Sequence, residues 1–488
     1  MTQHSLSISN FKKSILKFIL FAFLLLGAVC VFVRVFSIKS GDGIYSMKKF
    51  YEQPKDSVDV LVLGSSHAYE NISTADMWED YGIAAFDLGG SKQPLWNTYF
   101  YLVEALKYQK PKVIVLESYM TTYTEEYQEP GKAISNTFGM RFSMNKVRAI
   151  CESVPKEDWW SYLLGYVQYH SRYTDLSYAD FVKDQGDKRY TNWKGYKCGT
   201  LSKINEVTDV RGITDQIPMA EKSEKYFRMI IELAKEEQIP IVVVVSPHAN
   251  ICDNDERIYN YTEMVCTEYG VPFINYNLMY EETGIDSVND FSDDEHLNHV
   301  GSEKLTECLE EYLVSNFELT DHRGDEKWSS WDADALYVER TRVNNGFRRM
   351  GSVQDECHLM DEGKYDMFIC AEGTPEEGAK EQLSQLFGIS IDMLEDAQII
   401  YYHDSKATCW NSDIQIDLAI ELDQHMFRLV REMDEEGNAL NQVYVDGVSK
   451  KVTDNGYNIV VYDNITGQVV DRFGIWNSNP TACMRVEE

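Results

Sequence analysis

Short apolar runs that alternate with helical segments constrain the fold of this chain more than any other feature of its 488 residues. Between residues 57 and 318 there are five such runs: VDVLVLG at 58–64, IAAFDL at 83–88, PKVIVLES at 111–118, IPIVVVVSP at 239–247 and VPFINY at 271–276. Uninterrupted apolar runs are typical of strands buried on both faces. Strands separated by helices predict an α/β domain with a five-stranded parallel sheet, and the carboxyl ends of its strands share one edge.

The N-terminal segment predicts a membrane anchor rather than part of a globular domain. Residues 15–36 are apolar apart from Lys17 and Arg34, which stand near the two ends, where long basic side chains can reach the headgroups. Lysines before this run favour a cytoplasmic location for residues 1–14. We therefore expect a single-pass protein of the cell membrane whose remaining domains are extracytoplasmic. A cleaved signal peptide is the alternative, although no clear A-x-A site follows the apolar core.

Charge and cysteine usage argue against several classes of function. The chain has 46 Lys+Arg against 79 Asp+Glu, a net charge of −33, and such a surface repels nucleic-acid backbones. Its ten cysteines include no CxxC pair, which argues against a zinc site. A disulfide in the C-terminal part is compatible with the sequence, which does not identify partners. We expect no nucleic-acid partner, no metal and no cofactor.

Three other regions complete the predicted organisation. The aromatic-rich segment 119–217 is too long for a structureless loop, so it predicts a mostly helical insertion over the carboxyl edge of the sheet. A packing embellishment without substrate contact is the alternative. The polar residues 319–334 predict a linker. Short alternating runs at 335–488, separated by Gly, Asn and Asp, predict a mainly β sandwich domain with one helix at 376–389.

Two motifs at opposite ends of the α/β domain indicate nucleophilic catalysis. The serines Ser65 and Ser66 follow the first predicted strand, and Asp293 and His296 form a D-x-x-H motif after the fifth. On one tight turn this spacing lets the carboxylate orient the imidazole, which can then take a proton from a serine hydroxyl. The parallel sheet brings both segments to the same edge. The alternative is that the serines only cap the next helix.

Neighbouring residues offer alternatives for parts of this arrangement. Asp290 and Asp294 are the nearest other carboxylates that could pair with the histidine, although their spacing matches less well. His296 and His299 form an H-x-x-H pair, but two residues do not make a metal site.

The two motifs also carry a family resemblance. VLGSSH followed by DFSDDEHLNHVG resembles the SGNH/GDSL hydrolase superfamily, and LGGSKQP together with the anchor resembles its membrane-anchored, DltD-like and AlgJ/AlgX-like branch. The resemblance covers about residues 57–316 and implies a flavodoxin-like SGNH fold. It further implies Ser66 as the nucleophile, His296 as the base and Asp293 as the partner of that base.

The resemblance also implies an oxyanion hole, made by the backbone N–H groups of Ser66 and of Gly89 or Gly90. Typical SGNH members add an asparagine side chain after the third strand. Here the sequence at that point is LESYM, with Glu117 and Ser118, so this donor is missing.

Four further residues are predicted to line the substrate, each with a structural alternative. His67 follows the nucleophile and His248 follows the fourth strand, so both fall near the carboxyl edge of the sheet. His170 and Arg172 lie in the insertion, from which they could contact an anionic or sugar substrate. For all four, the alternative is a packed side chain that shapes the wall of the site.

The C-terminal stretch GYNIVVYDNITGQVVDRFGIW resembles the sandwich domain of interleukin-like EMT inducer proteins, which also occurs as a carbohydrate-binding stem. Taken together, the resemblances imply an extracytoplasmic serine O-acyltransferase or acyl esterase that acts on a cell-surface polysaccharide, with a multi-spanning membrane acyltransferase as a partner. DltD-like D-alanylation of teichoic acid is one alternative. A non-catalytic glycan-binding or assembly protein on a hydrolase fold is the other.

Overall fold

The structure is a computed structural model that describes most of the chain. The described residues are 2–37, 41–165, 170–174, 176, 181, 194–347, 350–355, 364–395, 397–411, 415–423, 425–433 and 439–485.

A five-stranded parallel sheet forms the centre of the first domain, as the apolar runs predict. Its strands are β1 (Val60–Gly64), β2 (Ala85–Gly89), β3 (Val113–Glu117), β4 (Ile241–Val245) and β5 (Phe273–Asn275). They lie in the order β2-β1-β3-β4-β5, and all four neighbouring pairs are parallel. Every residue of the first four strands is buried, because helices cover both faces of the sheet. The chain reverses its direction of winding between β1 and β3, which opens a crevice at the carboxyl ends of these strands.

Helices connect these strands and extend to both sides. The described helices of this part are α1 (Thr2–Phe36), α2 (Ser46–Glu52), α3 (Ser66–Asn71), α4 (Thr74–Tyr81), α5 (Leu95–Ala105), α6 (Pro130–Phe138), α7 (Met144–Ser153), α8 (Trp159–Leu163), α9 (Glu221–Glu236), α10 (Asp253–Tyr269), α11 (Tyr280–Thr283) and α12 (His299–Asn316). Within α1, residues Ser14–Phe36 are long and apolar enough to cross a membrane, and a signal sequence has the same properties.

In the described part of the insertion between β3 and β4, the α-helices are α6, α7 and α8, and His170–Thr174 form a short 3-10 helix. Residues 194–217 form no helix or strand and instead run across neighbouring loops. The backbone N–H of Lys197 donates to Tyr69 O at 2.7 Å, and that of Lys203 donates to Phe291 O at 2.9 Å. The prediction of a mostly helical insertion therefore misses this segment, because its backbone hydrogen bonds go to distant loops that the local sequence does not reveal.

The segment predicted to be a linker contains the start of a helix, α13 (Ser329–Phe347). Trp331 at its start is completely buried, and its indole N–H donates to Ala85 O at 2.9 Å on the edge strand β2. Trp331 and Val338 belong to the core of the first domain, while Phe347 belongs to the core of the second. The polar composition of residues 319–334 hides these buried aromatic side chains, so α13 joins two domains that the sequence predicts to be separated by a polar spacer.

The C-terminal part is mainly β, as predicted. Its described elements are β6 (Tyr365–Glu372), α14 (Glu377–Phe387), α15 (Ile391–Leu394), β7 (Ala397–His403), β8 (Lys406–Asn411), β9 (Asp417–Leu422), β10 (His425–Met433), β11 (Ala439–Val445), β12 (Val448–Ser449), β13 (Gly456–Asp463), β14 (Gln468–Trp476) and β15 (Asn479–Met484). They form an antiparallel six-stranded sheet, β15-β14-β13-β6-β7-β8, and a four-stranded one, β12-β11-β10-β9.

The two antiparallel sheets pack face to face. Phe368 of the larger sheet stacks on Phe427 of the smaller one, with ring centroids 4.0 Å apart. Helix α14 packs on the other face of the larger sheet through Leu383 and Phe387. No disulfide joins any of the nine cysteines in the described part of the chain.

Candidate active site

The turn between β1 and α3 separates the roles of the two adjacent serines. Ser65 is extended and caps α3, since its hydroxyl accepts the N–H of His67 at 3.4 Å. Ser66 is the first residue of the helix. Gly64 before them is required by packing, because a Cβ there would lie 2.9 Å from the Cβ of Glu117 and 3.0 Å from that of Ala68. Helix capping therefore accounts for Ser65 and leaves the hydroxyl of Ser66 for another partner.

The loop before α12 holds the D-x-x-H motif in a closed turn. One carboxylate oxygen of Asp293 accepts the backbone N–H groups of Glu295 and His296, both at 2.7 Å. Both carboxylate oxygens lie 3.0 Å from His296 Nδ1. The loop is pinned from two sides, because Asn71 accepts the N–H of Leu297 and Asn205 donates to the carbonyl of Asp293.

The structure brings Ser66, His296 and Asp293 into one chain of hydrogen bonds. His296 Nε2 lies 2.8 Å from Ser66 Oγ, while its Nδ1 faces Asp293. Burial opposes ionisation of Asp293, but the hydrogen bond and charge of His296 and the N–H groups of the turn lower the pKa of this carboxyl overall. An ionised carboxylate at Nδ1 keeps that nitrogen protonated, so Nε2 is available to accept the serine proton.

The two alternative carboxylates have other partners. Asp290 is buried, pairs with Lys304 at 2.7 Å and accepts the N–H of Asp286. Asp294 is largely exposed and lies 3.5 Å from Lys203. Neither carboxylate has a hydrogen bond to the imidazole of His296 among the described contacts, so the geometry favours Asp293.

His67 lies beside this hydrogen-bonded chain, as its position after Ser66 predicts. It is only 1% exposed, its ring stacks on Tyr119 with centroids 3.6 Å apart, and it lies 5.0 Å from the ring of His296. Burial, followed by the neighbouring imidazoles of His296 and His248, lowers the pKa of His67 well below its usual value, so the ring is neutral. Neither ring nitrogen has a hydrogen-bond partner among the described residues.

His248 forms the wall behind His67. Its Nδ1 lies 2.7 Å from the side-chain oxygen of Asn250, its Nε2 lies 3.0 Å from the hydroxyl of Tyr259, and it is almost completely buried. Burial lowers the pKa of His248 to about 4. Since both nitrogens are occupied by protein groups, the geometry fits the structural alternative better than direct contact with substrate.

Both glycines predicted for the oxyanion hole are tightly packed, and Gly89 lies against the turn of Ser66. Gly89 ends β2, where a Cβ would lie 2.9 Å from Gly64 O and 3.1 Å from Ser65 O. Gly90 is enclosed by amide side chains, since a Cβ there would overlap Asn136 Oδ1 and approach Gln93 Oε1 to 3.2 Å. Both positions therefore exclude larger residues and allow the backbone after β2 to approach the turn after β1.

The position after β3, where SGNH hydrolases have an asparagine, is occupied differently. The carboxyl group of Glu117 accepts the N–H groups of Tyr119 and Ser246, each at 3.2 Å, and burial raises its pKa to about 8. The hydroxyl of Ser118 donates to Val244 O at 2.8 Å. The side chains of Glu117 and Ser118 are thus engaged with the backbone, and Tyr119 supports His67.

Of the two residues predicted from the insertion to line the substrate, only Arg172 has a described side chain. The guanidinium of Arg172 donates to Phe36 O at 3.2 Å and to Ser37 O at 2.5 Å, at the C-terminal end of α1. The substrate-lining interpretation of Arg172 is therefore replaced by a contact with the N-terminal helix. The side chain of His170 lies outside the described part of the structure.

Several residues that position the site were missed by the sequence analysis. Tyr119 lies two residues after the end of β3, and this place at the carboxyl edge of the sheet is the signal that the sequence offers. Glu295, inside the D-x-x-H motif, forms a group with His67 and His296 whose candidate ligand atoms all lie within 4.8 Å of one another. Asn71 and Asn205 give no local signal, because they act on a loop that is distant in sequence.

Comparisons with known proteins provide no family for this chain. No protein-family profile matches the sequence, and no curated protein matches it. Among solved structures, a protein of Bacteroides fragilis proposed to be an acylhydrolase aligns with a TM-score of 0.28 and 11% sequence identity, over 55% of this chain and 93% of that chain. A TM-score this low carries no functional argument, so we base the proposed class on the site itself.

Proposed function

We propose that this protein is a serine acyl enzyme of the SGNH type, with Ser66 as nucleophile, His296 as general base and Asp293 as its partner. The observation that carries the proposal is the continuous hydrogen-bonded chain, at 3.0 Å from Asp293 to His296 and 2.8 Å from His296 to Ser66. The strand order β2-β1-β3-β4-β5 supports it, because a ligand-binding crevice is expected where the winding of the sheet reverses, next to the end of β1.

The reaction follows from this geometry. As Ser66 Oγ attacks an ester carbonyl, its proton passes to His296 Nε2, and Asp293 stabilises the resulting imidazolium. When the carbon–oxygen bond to the leaving alcohol breaks, His296 returns the proton to that alcohol and an acyl-Ser66 ester remains. A water molecule or a sugar hydroxyl then attacks this ester, and its proton passes to His296. The bond between the acyl carbon and Ser66 Oγ breaks, and His296 returns the proton to Oγ, which regenerates Ser66. Backbone N–H groups of Ser66 and of Gly89 or Gly90 hold the oxyanion.

We further propose a cell-surface polysaccharide as the substrate. The apolar helix at the N-terminus supports a location at the membrane, where a multi-spanning acyltransferase could supply acyl groups. A serine nucleophile is suited to reaction with an O-acyl ester. Transfer differs from hydrolysis only in the group that attacks the acyl-Ser66 ester, which is a sugar hydroxyl in transfer and water in hydrolysis.

A fluorophosphonate probe tests the nucleophile. We expect wild-type protein to be labelled and Ser66→Ala to show no labelling. Ser65→Ala is the matched control, because it removes the neighbouring hydroxyl that only caps α3. Absence of labelling in the wild type, or equal labelling of Ser66→Ala, would overturn the proposal.

The acyl group is tested by the intact mass of the soluble part after exposure to acetyl and D-alanyl donors. A mass increase from acetyl donors that is absent in Ser66→Ala supports polysaccharide O-acetylation. An increase from D-alanyl donors alone instead supports the DltD-like alternative, in which teichoic acid is the acceptor.

One observation favours the non-catalytic alternative, a glycan-binding protein. A cavity of about 310 Å³ lies between α13 and β14, with hydroxyl and amide side chains in its lining, such as those of Thr200, Asn345, Thr466 and Gln468. Uncharged polar groups of this kind suit sugar hydroxyls. Binding of polysaccharide fragments by Ser66→Ala, together with no probe labelling of the wild type, would favour this alternative.

A further inference from the structure

The proposed acyl-enzyme mechanism does not explain why His67 is buried with both ring nitrogens unpaired among the described residues. The ring is 1% exposed, yet neither nitrogen has a hydrogen-bond partner within the described part of the chain. Buried polar groups are nearly always paired, because an unpaired one loses its hydration without compensation. The contrast with His248, whose two nitrogens contact Asn250 and Tyr259, shows that this region does supply partners where the fold needs them.

Two further side chains of types that coordinate metals, those of His296 and Glu295, lie next to His67. His296 lies with its ring centroid 5.0 Å away, and the carboxylate of Glu295 completes the group. One candidate ligand atom from each of the three side chains lies within 4.8 Å of the others. Stacking on Tyr119 fixes the plane of the His67 ring, and the amide of Asn250 lies 3.4 Å from Glu295 Oε1.

We propose that His67, Glu295 and His296 form an inhibitory binding site for a zinc-like divalent cation. Two imidazoles and one carboxylate form a three-ligand set typical of zinc, with a fourth position left for water. Neither nitrogen of His67 has a competing protein partner among the described residues, and imidazole nitrogens are common zinc ligands. His299 follows His296 three residues later in the sequence, but the structure groups His296 with His67 and Glu295 instead.

Metal binding and acyl transfer are mutually exclusive in this geometry. His296 Nε2 is the acceptor for the Ser66 proton, and His296 Nδ1 is held by Asp293. A cation on either nitrogen therefore removes the base or detaches it from its carboxylate. The inhibitory effect rests on the proposed function, whereas the binding of the cation does not.

Metal binding is tested on the full chain with the Ser66→Ala variant, so that no activity is needed. Titration calorimetry with Zn²⁺ and the visible absorption of bound Co²⁺ are the two readouts. Glu295→Gln and His67→Phe, which preserve shape and stacking, are expected to weaken binding by at least about tenfold. His299→Gln is the matched control and is expected to bind as Ser66→Ala does. No Zn²⁺ binding, or binding lost in His299→Gln but retained in His67→Phe, overturns the proposal.

Inhibition is tested by fluorophosphonate labelling of the wild type. Zn²⁺ is expected to suppress labelling of the wild type, and a chelator is expected to restore it. Glu295→Gln is expected to be labelled at Zn²⁺ concentrations that prevent labelling of the wild type. Zn²⁺ that binds without reducing labelling contradicts an inhibitory role. If the wild type is never labelled, the proposed function fails, and the calorimetric result still decides the metal site.

Discussion

One aspartate–histidine pair in the α/β domain and one in the β domain are built alike, but among the described contacts only the first reaches a nucleophile. In the α/β domain, Asp293 holds His296, whose second nitrogen lies 2.8 Å from Ser66 Oγ. In the β domain, Asp366 lies 2.8 Å from His403 Nδ1, a shorter distance than in the first pair. The hydrogen bond between acid and imidazole is therefore common to both regions, and it does not define an active site by itself.

The surroundings of the second pair explain the difference. Asp366 is completely buried and also accepts the hydroxyl of Tyr401 at 2.6 Å and the amide of Asn464 at 2.7 Å. His403 is half exposed, and its Nε2 faces a second carboxylate, Asp404, at 3.4 Å. This pair ties strands together at the end of a sheet, whereas the first pair is held by a closed loop that aims the imidazole at a serine.

The largest predicted effect is a difference in hydrolysis rate between variants of the two histidines, His296 and His403. His296→Gln removes the proton acceptor of Ser66, and we expect hydrolysis of an aryl acetate to fall by ~10⁴–10⁶-fold, since triad members act as one unit. His403→Gln should leave this rate unchanged. Steady-state kinetics of both variants provides the check. A comparable loss in His403→Gln would show that the second pair takes part in the reaction.

Asp293→Asn should produce the next largest loss, of roughly 10³–10⁴-fold, because an amide cannot stabilise the imidazolium or fix its tautomer. The matched control is Asp294→Asn, which alters an adjacent, exposed carboxylate that pairs with Lys203 among the described contacts. Its rate should stay within about twofold of the wild type, because exposed ion pairs contribute little. Equal losses in the two variants would reassign the carboxylate of the site.

How much of this arrangement follows from the sequence depends on whether the signal is local. The apolar runs predict the positions of β1 to β5, because strands in the middle of a parallel sheet consist mainly of apolar residues. The D-x-x-H motif also predicts its own geometry, since Asp293 and His296 share one turn. The capping role of Ser65 leaves the hydroxyl of Ser66 available, which is the serine that the family resemblance implies as nucleophile.

The parts that the sequence did not predict depend on contacts between distant segments. His67 stacks on Tyr119 because β1 and β3 are neighbours in the sheet, and the sequence of neither strand indicates which strand lies beside it. Arg172 binds the end of α1, some 135 residues away in sequence. The start of α13 has a polar composition, and its buried side depends on a partner, β2, that local periodicity cannot identify.

The second pair, Asp366 with His403, should matter for stability and not for activity. Asp366→Asn leaves a buried amide in place of a carboxylate that accepts three side-chain hydrogen bonds. We expect this variant to lower the free energy of unfolding by about 2 kcal/mol, because hydrogen bonds to charged groups are among the stronger ones. Chemical denaturation measures this change, and aryl acetate hydrolysis should be unaffected. Unchanged stability would show that the pair is not structural.

The pH dependence of the second pair should have a definite sign. The hydrogen bond to Asp366 is the main cause of the raised pKa of His403, so the folded state binds the proton more tightly than the unfolded state. The stabilisation is therefore fully present below the unfolded pKa of about 6.5, and it is lost as the pH rises through the folded value. The stability difference between wild type and His403→Gln should be larger at about pH 5 than at about pH 8. Denaturation at both values tests this, and the opposite trend would contradict a proton held by Asp366.

The smallest predicted effect is the loss of stability in Ser65→Ala, which alters the serine next to the proposed nucleophile Ser66. Ser65→Ala removes an N-cap hydrogen bond of 3.4 Å, which is long, so we expect a loss near the lower end of the usual range, about 0.5 kcal/mol. Probe labelling should persist in this variant, because the hydroxyl of Ser66 and its contact with His296 are untouched. Thermal unfolding and labelling of Ser65→Ala and Ser66→Ala, measured side by side, test both statements. If Ser65→Ala abolished labelling and Ser66→Ala retained it, Ser65 would be the nucleophile, and the hydrogen bond that distinguishes the first pair from the second would lose its functional meaning.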